Sequence, residues 1–293
     1  MKTPVSTVIG RVIIYFILGL LAFLTLYPFW HVIMYSISAS EAAMEGGLFF
    51  FPRKPTLAAY SLLARNKLIF TTYKNSIIRT VVGTCINLIM TASIAYPLSV
   101  KRFIGRNFWT MVIFFTMLFS GGMIPTYLLV KELGLLNSMW ALILPGSISA
   151  YNMFIMRNFF QSIPPSLEES ANIDGATPPR ILVSIIMPLS KPVFAALALF
   201  YGIAHWNSYI DCVLYIDDLS KQVLQVYLRS MINVTAFGQV GEAADRAAIA
   251  GTGMSEETMK MAAISASVIP IIIIYPWLQK YYVKGVLIGS IKG

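Results

Sequence analysis

Long apolar segments alternate with short polar ones along the whole chain. Six of these segments approach or exceed the roughly 20 apolar residues that a helix needs to cross the hydrocarbon core of a bilayer. They cover residues 12–37, 75–100, 108–130, 139–160, 181–213 and 261–281. Each should be helical, because a backbone in lipid must satisfy its own hydrogen bonds. The pattern predicts an all-α, polytopic membrane protein in which residues 1–293 form a single transmembrane domain.

The composition supports a membrane protein and argues against other classes. Only 12% of the residues are charged, whereas a soluble domain carries about 25%. The first apolar segment is longer than the roughly 7–15 residues of a signal-peptide core, so we expect it to be retained as a helix. The net charge of +9 does not indicate a nucleic-acid partner, because the basic residues flank apolar spans, where such residues anchor helices at the lipid surface.

Loop charges favour an orientation with both termini in the cytoplasm. The short loop 101–106 contains three basic residues and the loop 131–137 contains one, and basic residues in short loops mark the cytoplasmic side. In this orientation residues 38–74 and about 214–260 lie outside, and residues 161–180 form a cytoplasmic loop.

That cytoplasmic loop and the start of the next span, 166–192, form the most charged and proline-rich passage between apolar segments. Ser166 and Glu169 have the spacing of a capping box at a helix start. Gly175 suits the left-handed residue that ends a helix, and the two prolines at 178–179 suit the first turn of the next one. The residues predict a short helix, a sharp turn and a second helix. Such a motif is either a simple connection or a docking surface for a cytoplasmic partner.

The same passage resembles a known motif. Glu-Ser-Ala at 169–171, then Gly175, then Ile-Ile-Met-Pro at 185–188 is similar to the coupling motif of permeases of bacterial binding-protein-dependent ABC importers. The family form is Glu-Ala-Ala, three residues, Gly, nine residues, and Ile-x-Leu-Pro. The spacing here is identical, and the two departures, Ser170 and Met187, keep the size class.

The resemblance extends over essentially the whole chain. The segments 51–63, 205–216 and 275–293 resemble the outer segment, the fifth-span Trp-Asn region and the closing tail of carbohydrate-importer permeases. The shorter, six-span member of the maltose-type pair is the most similar architecture. Residues 119–145 most resemble permeases for acidic or complex plant and algal oligosaccharides, with the alginate-oligosaccharide importers as the specific subgroup.

This resemblance implies a type I ABC importer permease in the bacterial cytoplasmic (inner) membrane. The implied partners are a second homologous permease, two ATP-binding cassette ATPase subunits, an extracytoplasmic substrate-binding protein and membrane lipid. The chain lacks a Gly-x-x-x-x-Gly-Lys-Ser/Thr phosphate loop, so we expect it to be non-catalytic and to bind no cofactor, with ATP and magnesium held by the partner ATPases.

The resemblance also assigns residues to roles. The residues expected to couple the chain to an ATPase are Ser166, Leu167, Glu168, Glu169, Ala171, Asp174, Gly175 and Pro188. Those expected to contact the ATPases through the tail are Gly289, Lys292 and Gly293.

The substrate path is predicted from polar and aromatic residues inside spans, which are costly in lipid and often functional. The candidates are Arg79, Trp206, Asn207 and Tyr209. Arg79 either extends its charge towards the interface or binds an anionic substrate. The two aromatic residues alternatively form an interfacial belt or helix packing. Asp211 is predicted to be a solvated residue at the end of a span, with contact to a ligand as the alternative.

Several observations bear on substrate charge and on rival functions. The outer segment 38–74 has a net charge of +3, from five basic and two acidic residues, which would attract an acidic oligosaccharide, a binding protein or lipid headgroups. His31 and His205 lack metal-ligand spacing, so we expect hydrogen-bonded polar residues and no metal site. An ion-coupled secondary transporter is the alternative function, but residues 1–146 and 147–293 show no inverted repeat.

Overall fold

The computed structural model describes residues 5–232 and 254–290, with the backbone alone for residues 5–7, 275 and 277–290. The secondary structure of these residues is helical, apart from one isolated β-bridge between Ser38 and Pro55. The α-helices are α1 (Val5–Ser36), α2 (Ser40–Met44), α3 (Ala58–Leu63), α4 (Lys67–Ser99), α5 (Arg106–Leu118), α6 (Met123–Glu132), α7 (Ala150–Gln161), α8 (Pro165–Ile173), α9 (Pro178–Ile181), α10 (Met187–Leu189), α11 (Lys191–Asn207), α12 (Ile210–Tyr215), α13 (Leu224–Ile232) and α14 (Glu256–Ser290).

Three of the described helical stretches are long and apolar enough to cross a membrane. They are Val8–Ser36, Lys67–Ser99 and Glu256–Ile274. Two further stretches meet the same test only as bent pairs: α5 with α6, at 111°, and the helix Pro178–Leu189 with α11, at 86°. The described residues therefore contain three spans by length and composition, or up to five if each bent pair is one span.

The prediction that 108–130 and 181–213 each form one continuous helix is wrong, because each segment is bent. The first breaks between Leu118 and Met123, where Gly122 adopts a φ of +88°. The second contains a π-helical turn at Leu182–Ile186, breaks at Ser190 and ends at Asn207. A proline at 192 explains the break at Ser190, because its ring lacks an N–H and would clash with the carbonyl four residues earlier.

The predicted span 139–160 departs furthest from a continuous helix. It consists of a 3-10 turn at Met139–Leu142, a non-helical segment at 143–149 and the 12-residue helix α7. At 1.5 Å per residue α7 is about 18 Å long, which is short of the ~30 Å hydrocarbon core. Irregular backbone is tolerated at membrane depth only where protein buries it or where it lines a cavity.

The described residues group into two compact units. One lies within Met1–Ile69 and Leu228–Pro270, and the other within Phe70–Tyr227 and Ile271–Gly293. In the first unit, the buried residues Met34, Tyr35, Ala43 and Phe49 form an apolar cluster. Ser255 is the N-cap of α14. Its hydroxyl oxygen accepts the Thr258 backbone N–H at 3.2 Å, which is the usual hydrogen bond of a serine N-cap.

The second unit contains the main apolar core, to which α4, α7, α8, α9 and α11 contribute. Its buried members are Ala92, Ala95, Tyr96, Leu98, Met153, Met156, Phe160, Ala171, Ile181, Ile186, Val193, Leu197 and Tyr201. The cluster includes Ala171 of the short helix α8, so that helix is packed against the membrane-spanning helices rather than held by a free loop.

One face of α4 in this unit is buried and polar. Its members are Thr72, Ser76, Arg79, Asn87 and Thr91, each at most 3% exposed. Their spacings of three, four and eight residues place them along one side of the helix. These residues bond to neighbouring elements: for example, Ser76 Oγ accepts the Leu224 N–H at 2.8 Å, and the Thr91 and Tyr201 hydroxyls lie 2.8 Å apart. Such contacts between helices replace the hydrophobic driving force that lipid removes.

Candidate functional site

The helix α8 begins differently from the prediction. Its N-cap is Pro164, Pro165 occupies the first turn, and the cap makes no side-chain hydrogen bond. The capping box predicted for Ser166 and Glu169 is therefore wrong. Proline is favoured at the first helical position, because its missing N–H has no partner there in any case, and this places Ser166 inside the first turn.

The end of α8 confirms the predicted turn. Gly175 has a φ of +76°, a conformation that costs residues with a β-carbon roughly 1–2 kcal/mol. Its N–H donates to the Asn172 carbonyl at 3.1 Å, and the Ala176 N–H donates to the Ala171 carbonyl at 2.9 Å. These two bonds are the Schellman pattern, which closes the end of a helix. The next helix, α9, opens on the two prolines at 178–179, as predicted.

The inward side of α8 bonds to the end of α4 and the loop that follows. The Glu168 carboxylate accepts from Arg102 at 3.3 Å and from the Tyr96 hydroxyl at 3.4 Å. Arg102 also donates to the Asn172 side chain at 3.0 Å, and Ala171 is buried between these two positions. Glu168 therefore bonds within its own chain.

The outward side of α8 is exposed and mixes apolar with acidic groups. The exposed residues of α8 and its C-cap are Pro165, Ser166, Leu167, Glu169, Ser170, Ile173 and Asp174. Ile173 is 86% exposed and Leu167 is 41% exposed. This surface is small, rigidly capped and free of contacts within the described chain that would bury it.

The remaining predicted coupling positions lie elsewhere. Pro188 is exposed in α10, directly after the π-helical turn Leu182–Ile186. Gly289 lies in the backbone of α14. Lys292 and Gly293 lie outside the described residues.

An open pocket of about 450 Å³ lies in the second unit. Its polar lining residues are Arg79, Ser149, Asn152, Tyr201, His205, Ser208 and Asp211, and its apolar ones are Ala141, Leu142, Pro145, Gly146, Phe200, Ala204 and Tyr215. These residues come from α4, α7, α11, α12, the 3-10 turn, the irregular segment after it and the link between α11 and α12. The interrupted helices described above therefore border a cavity.

Arg79 holds the broken helix ends at this pocket together. Its guanidinium forms an ion pair with Asp211 and donates to the carbonyls of Ser208 at 3.1 Å and Leu142 at 3.4 Å. Ser208 directly follows α11, and Leu142 is the last residue of the 3-10 turn. Carbonyls at such helix ends have no partner within their own helix. Arg79 is only 2% exposed, so its charge does not extend to the interface.

Asp211 is not the solvated residue that was predicted, because its carboxylate is bonded within the chain. Besides pairing with Arg79, its carboxylate accepts from the Ser208 hydroxyl at 2.8 Å and from the Cys212 N–H at 2.9 Å. Its side chain is 25% exposed. The prediction failed because a single carboxylate at a span end gives no sign of which residue of another helix faces it.

A second buried pair joins α4 to α11 at the same pocket. His205 Nε2 lies 2.7 Å from Asn87 Oδ1, and Asn87 Nδ2 donates to the Gly146 carbonyl at 2.7 Å. Gly83 permits this approach, because a β-carbon there would lie 2.5 Å from His205 Nε2. His205 is thus the hydrogen-bonded polar residue that the sequence predicted, and Asn87 secures an irregular carbonyl as Arg79 does.

Of the four predicted path residues, the structure brings only Arg79 to the pocket. Trp206 is buried, and its ring meets that of Tyr73 edge-on with 6.0 Å between centroids. Asn207 is exposed and Tyr209 is half-buried. Sequence reasoning missed Asn87 and Asn152. The polar residues at helical spacing along α4 were the available signal for Asn87, whereas nothing in the sequence singles out Asn152.

Comparisons with known proteins agree with this architecture. Residues 62–288 match the family described as the binding-protein-dependent transport system inner membrane component. The polygalacturonan/rhamnogalacturonan transport system permease protein YtcP of Bacillus subtilis (strain 168) is 42% identical over 281 residues, which cover 96% of this chain and 97% of that protein.

Two solved structures extend the comparison. A chain of a bacterial ABC transporter involved in the import of the acidic polysaccharide alginate has a TM-score of 0.89 and 35% identity, with 96% of this chain and 99% of that chain covered. A chain of a bacterial alginate ABC transporter in complex with an alginate pentasaccharide-bound periplasmic protein has a TM-score of 0.59 and 14% identity, covering 93% and 94%. The second likeness concerns the fold alone.

Proposed function

We propose that the chain is the permease subunit of an ATP-driven oligosaccharide importer. The premise is that the chain belongs to the family of binding-protein-dependent transport system inner membrane components. The coupling motif predicted this family. The chain would form half of the translocation path in a bacterial inner membrane, with both termini in the cytoplasm. A second homologous permease would form the other half.

The helix α8 is the proposed contact with a partner ATPase. The single observation that carries this assignment is the Schellman turn at Gly175, which ends a short helix whose residues Leu167, Glu169 and Ile173 are exposed. A rigid element transmits a displacement to its neighbours, whereas a loop would absorb it. Closure of the ATPases on ATP would move α8, and the buried Ala171 would pass that movement to the core.

The pocket beside Arg79 is the proposed section of the substrate path that this chain supplies. Hydroxyl, amide and imidazole groups line it, together with the aromatic rings of Phe200 and Tyr215. Sugars are bound by a few polar groups set among apolar and aromatic side chains. Arg79 would shape this section, because its two terminal nitrogens already bond to Asp211 and to two backbone carbonyls. Trp206, Asn207 and Tyr209 would support its outer rim.

An acidic oligosaccharide, such as an alginate fragment, is the proposed substrate class. YtcP, at 42% identity, is named for polygalacturonan/rhamnogalacturonan, and a solved chain at 35% identity belongs to a transporter of the acidic polysaccharide alginate. The net charge of +3 on the outer segment 38–74 is consistent with this charge class, although Arg53 there is already near Glu45, at 3.8 Å.

ATP and magnesium would bind to the partner ATPases, and an extracytoplasmic binding protein would deliver the substrate. An ion-coupled transporter is not favoured, because Asp211, the carboxylate that lines the pocket, is held by Arg79 and two further donors. A coupling carboxylate has to exchange its ion during each cycle.

The test is reconstitution of the chain with its co-purified partners in proteoliposomes. We expect ATP hydrolysis to be stimulated by binding protein loaded with uronic-acid oligosaccharides and not by binding protein offered neutral ones. Glu169→Lys should abolish uptake, whereas Glu132→Lys, a matched reversal at an exposed carboxylate of α6, should leave it unchanged. Normal uptake by Glu169→Lys, or purification without an ATPase, would overturn the proposal.

A further inference from the structure

Two arginines meet on one side of the contact between α5 and α7. Arg157 of α7 donates to the Thr110 hydroxyl of α5 at 3.4 Å. Arg106 lies one turn before Thr110, and residues four apart share a helix face. The Arg157 and Arg106 guanidinium groups are near enough for their electrostatic interaction to be repulsive.

Both arginines are held in place by their own chain. Arg106 donates from Nε to the Leu98 carbonyl at 2.9 Å. Arg157 lies 4.9 Å above the ring centre of Phe154 and donates to the Asn158 side chain at 3.3 Å. Both are half-buried, and the buried Nε of Arg157 has no hydrogen-bond partner in the part of the chain that the structure describes.

The two positive charges have no acidic partner. Among the described residues, no carboxylate lies within 4.0 Å of either guanidinium, and Glu168 of the neighbouring α8 is paired with Arg102. Partly buried like charges are costly unless an opposite charge neutralises them. The arrangement therefore calls for an anion supplied from outside the chain.

The surroundings indicate what kind of anion it is. None of the residues of α5 is buried, and Phe108, Trp109 and Met111 next to the arginines are each at least half exposed. An apolar helix surface of this kind contacts acyl chains in a bilayer, and tryptophan is enriched at the headgroup level. A phosphate that sits beside acyl chains belongs to a phospholipid.

We propose that Arg106, Thr110 and Arg157 bind the headgroup phosphate of an anionic phospholipid in the leaflet that borders the loop 101–106. The two guanidinium groups offer planar, paired donors that match phosphate oxygens, and the Thr110 hydroxyl can donate between them. Basic pockets between helices on the cytoplasmic side of membrane proteins bind anionic headgroups in this way. The site is independent of the transported substrate.

The test measures lipid binding to the intact, purified transport complex. Phosphatidylglycerol is titrated into the complex in neutral detergent and followed by native mass spectrometry, with phosphatidylcholine as the zwitterionic comparison. We expect Arg106→Gln/Arg157→Gln to weaken phosphatidylglycerol binding about tenfold or more, since two charge-assisted contacts are lost. The matched control Lys101→Gln/Arg180→Gln removes the same charge from exposed positions and should leave binding unchanged.

Two further measurements keep the proposal falsifiable. If the double variant does not assemble, Thr110→Val, which keeps both charges, should still weaken binding about threefold by loss of one hydrogen bond. Equal binding of phosphatidylcholine, displacement of lipid by millimolar inorganic phosphate, or a cross-link from Arg157 to a partner subunit in lipid-free complex would each overturn the lipid assignment. Because the readout is binding, its failure is distinguishable from a failure of the proposed transport activity.

Discussion

The Arg102 guanidinium lies 3.3 Å from the carboxylate of Glu168 and connects the loop after α4 to the short helix α8. Arg102 is 62% exposed, and an exposed ion pair alone contributes only about 0–1 kcal/mol. The same carboxylate also accepts the hydroxyl of Tyr96, which is itself 6% exposed. The pair therefore sets the direction of α8, while the buried contacts of Tyr96 and Ala171 provide the attachment.

Reversing one charge of this pair should disturb coupling more than folding. Arg102→Glu places two carboxylates side by side and should lower the oligosaccharide transported per ATP hydrolysed about threefold or more, with only the ~1 kcal/mol effect of a surface charge on stability. The exchange Arg102→Glu/Glu168→Arg restores opposite charges and should recover most of the ratio. Unchanged coupling in Arg102→Glu would show that the pair has no role in holding α8.

The turn at Gly175 allows a sharper test, because the structure separates backbone conformation from packing. A β-carbon at Gly175 would meet no atom within 4 Å, so we expect Gly175→Leu to act through its φ of +76°, at a cost of about 1–2 kcal/mol. We expect lost coupling in proteoliposomes. Gly175→Asn should be milder, because asparagine tolerates this conformation.

Gly134 provides the matched control for that substitution. It has a φ of +66° and equally open surroundings, but it follows α6 rather than α8. Gly134→Leu should lower the thermal midpoint of the complex as much as Gly175→Leu does, yet leave ATP-driven uptake intact. Equal loss of uptake in both variants would mean that stability, and not the α8 turn, explains the effect.

The sequence predicted the parts of this molecule that depend on local chemistry. The long apolar segments became α1, α4 and α14, and Gly175 lies where its turn preference places it. Two local preferences competed at the start of α8, and no sequence rule ranks them: Pro165 occupies the first turn, and Ser166 is therefore not the cap residue.

The breaks inside the predicted spans could not be found in the same way. An apolar run that contains proline or glycine can continue as a kinked helix or stop, and the outcome depends on whether another element satisfies the freed carbonyls. Here Arg79 and Asn87 do so for Leu142, Ser208 and Gly146. These partners lie 59 to 129 residues away in sequence, so no local pattern indicates them.

The contact of Gly83 with His205 predicts a strong effect of the smallest possible substitution. Gly83→Ala would place a β-carbon 2.5 Å from His205 Nε2 and should destabilise the second unit by about 1–3 kcal/mol, as overpacking does. Gly202→Ala on the facing helix is the control, since its nearest neighbour would lie at 3.7 Å. Thermal midpoints of the detergent-solubilised complex should fall for the first variant only, and equal midpoints would refute the close approach of α4 and α11.

Because Arg79 and Asp211 form an ion pair, we expect each single substitution to destabilise the protein and the double substitution to restore part of the stability. Asp211→Asn leaves a buried guanidinium without its counter-charge and should cost about 3 kcal/mol, the low end for a buried pair, because Asp211 is 25% exposed. Arg79→Gln should cost at least as much, since it also frees the carbonyls of Leu142 and Ser208. The double variant Arg79→Gln/Asp211→Asn removes both charges and should recover the part of the loss that comes from an unpaired charge, but not the part that comes from the two freed carbonyls. Thermal midpoints of the purified complex measure all three.

Transport by the same variants separates the two roles that the sequence left open for Arg79. If Arg79 serves to hold the irregular backbone around the pocket, uptake should recover in step with stability in the double variant, for acidic and neutral oligosaccharides alike. A double variant that regains its thermal midpoint but loses uptake of uronic-acid oligosaccharides alone would contradict this role. The guanidinium would then have to leave Asp211 during the cycle, and the internal carboxylate would be the group that a substrate carboxylate displaces.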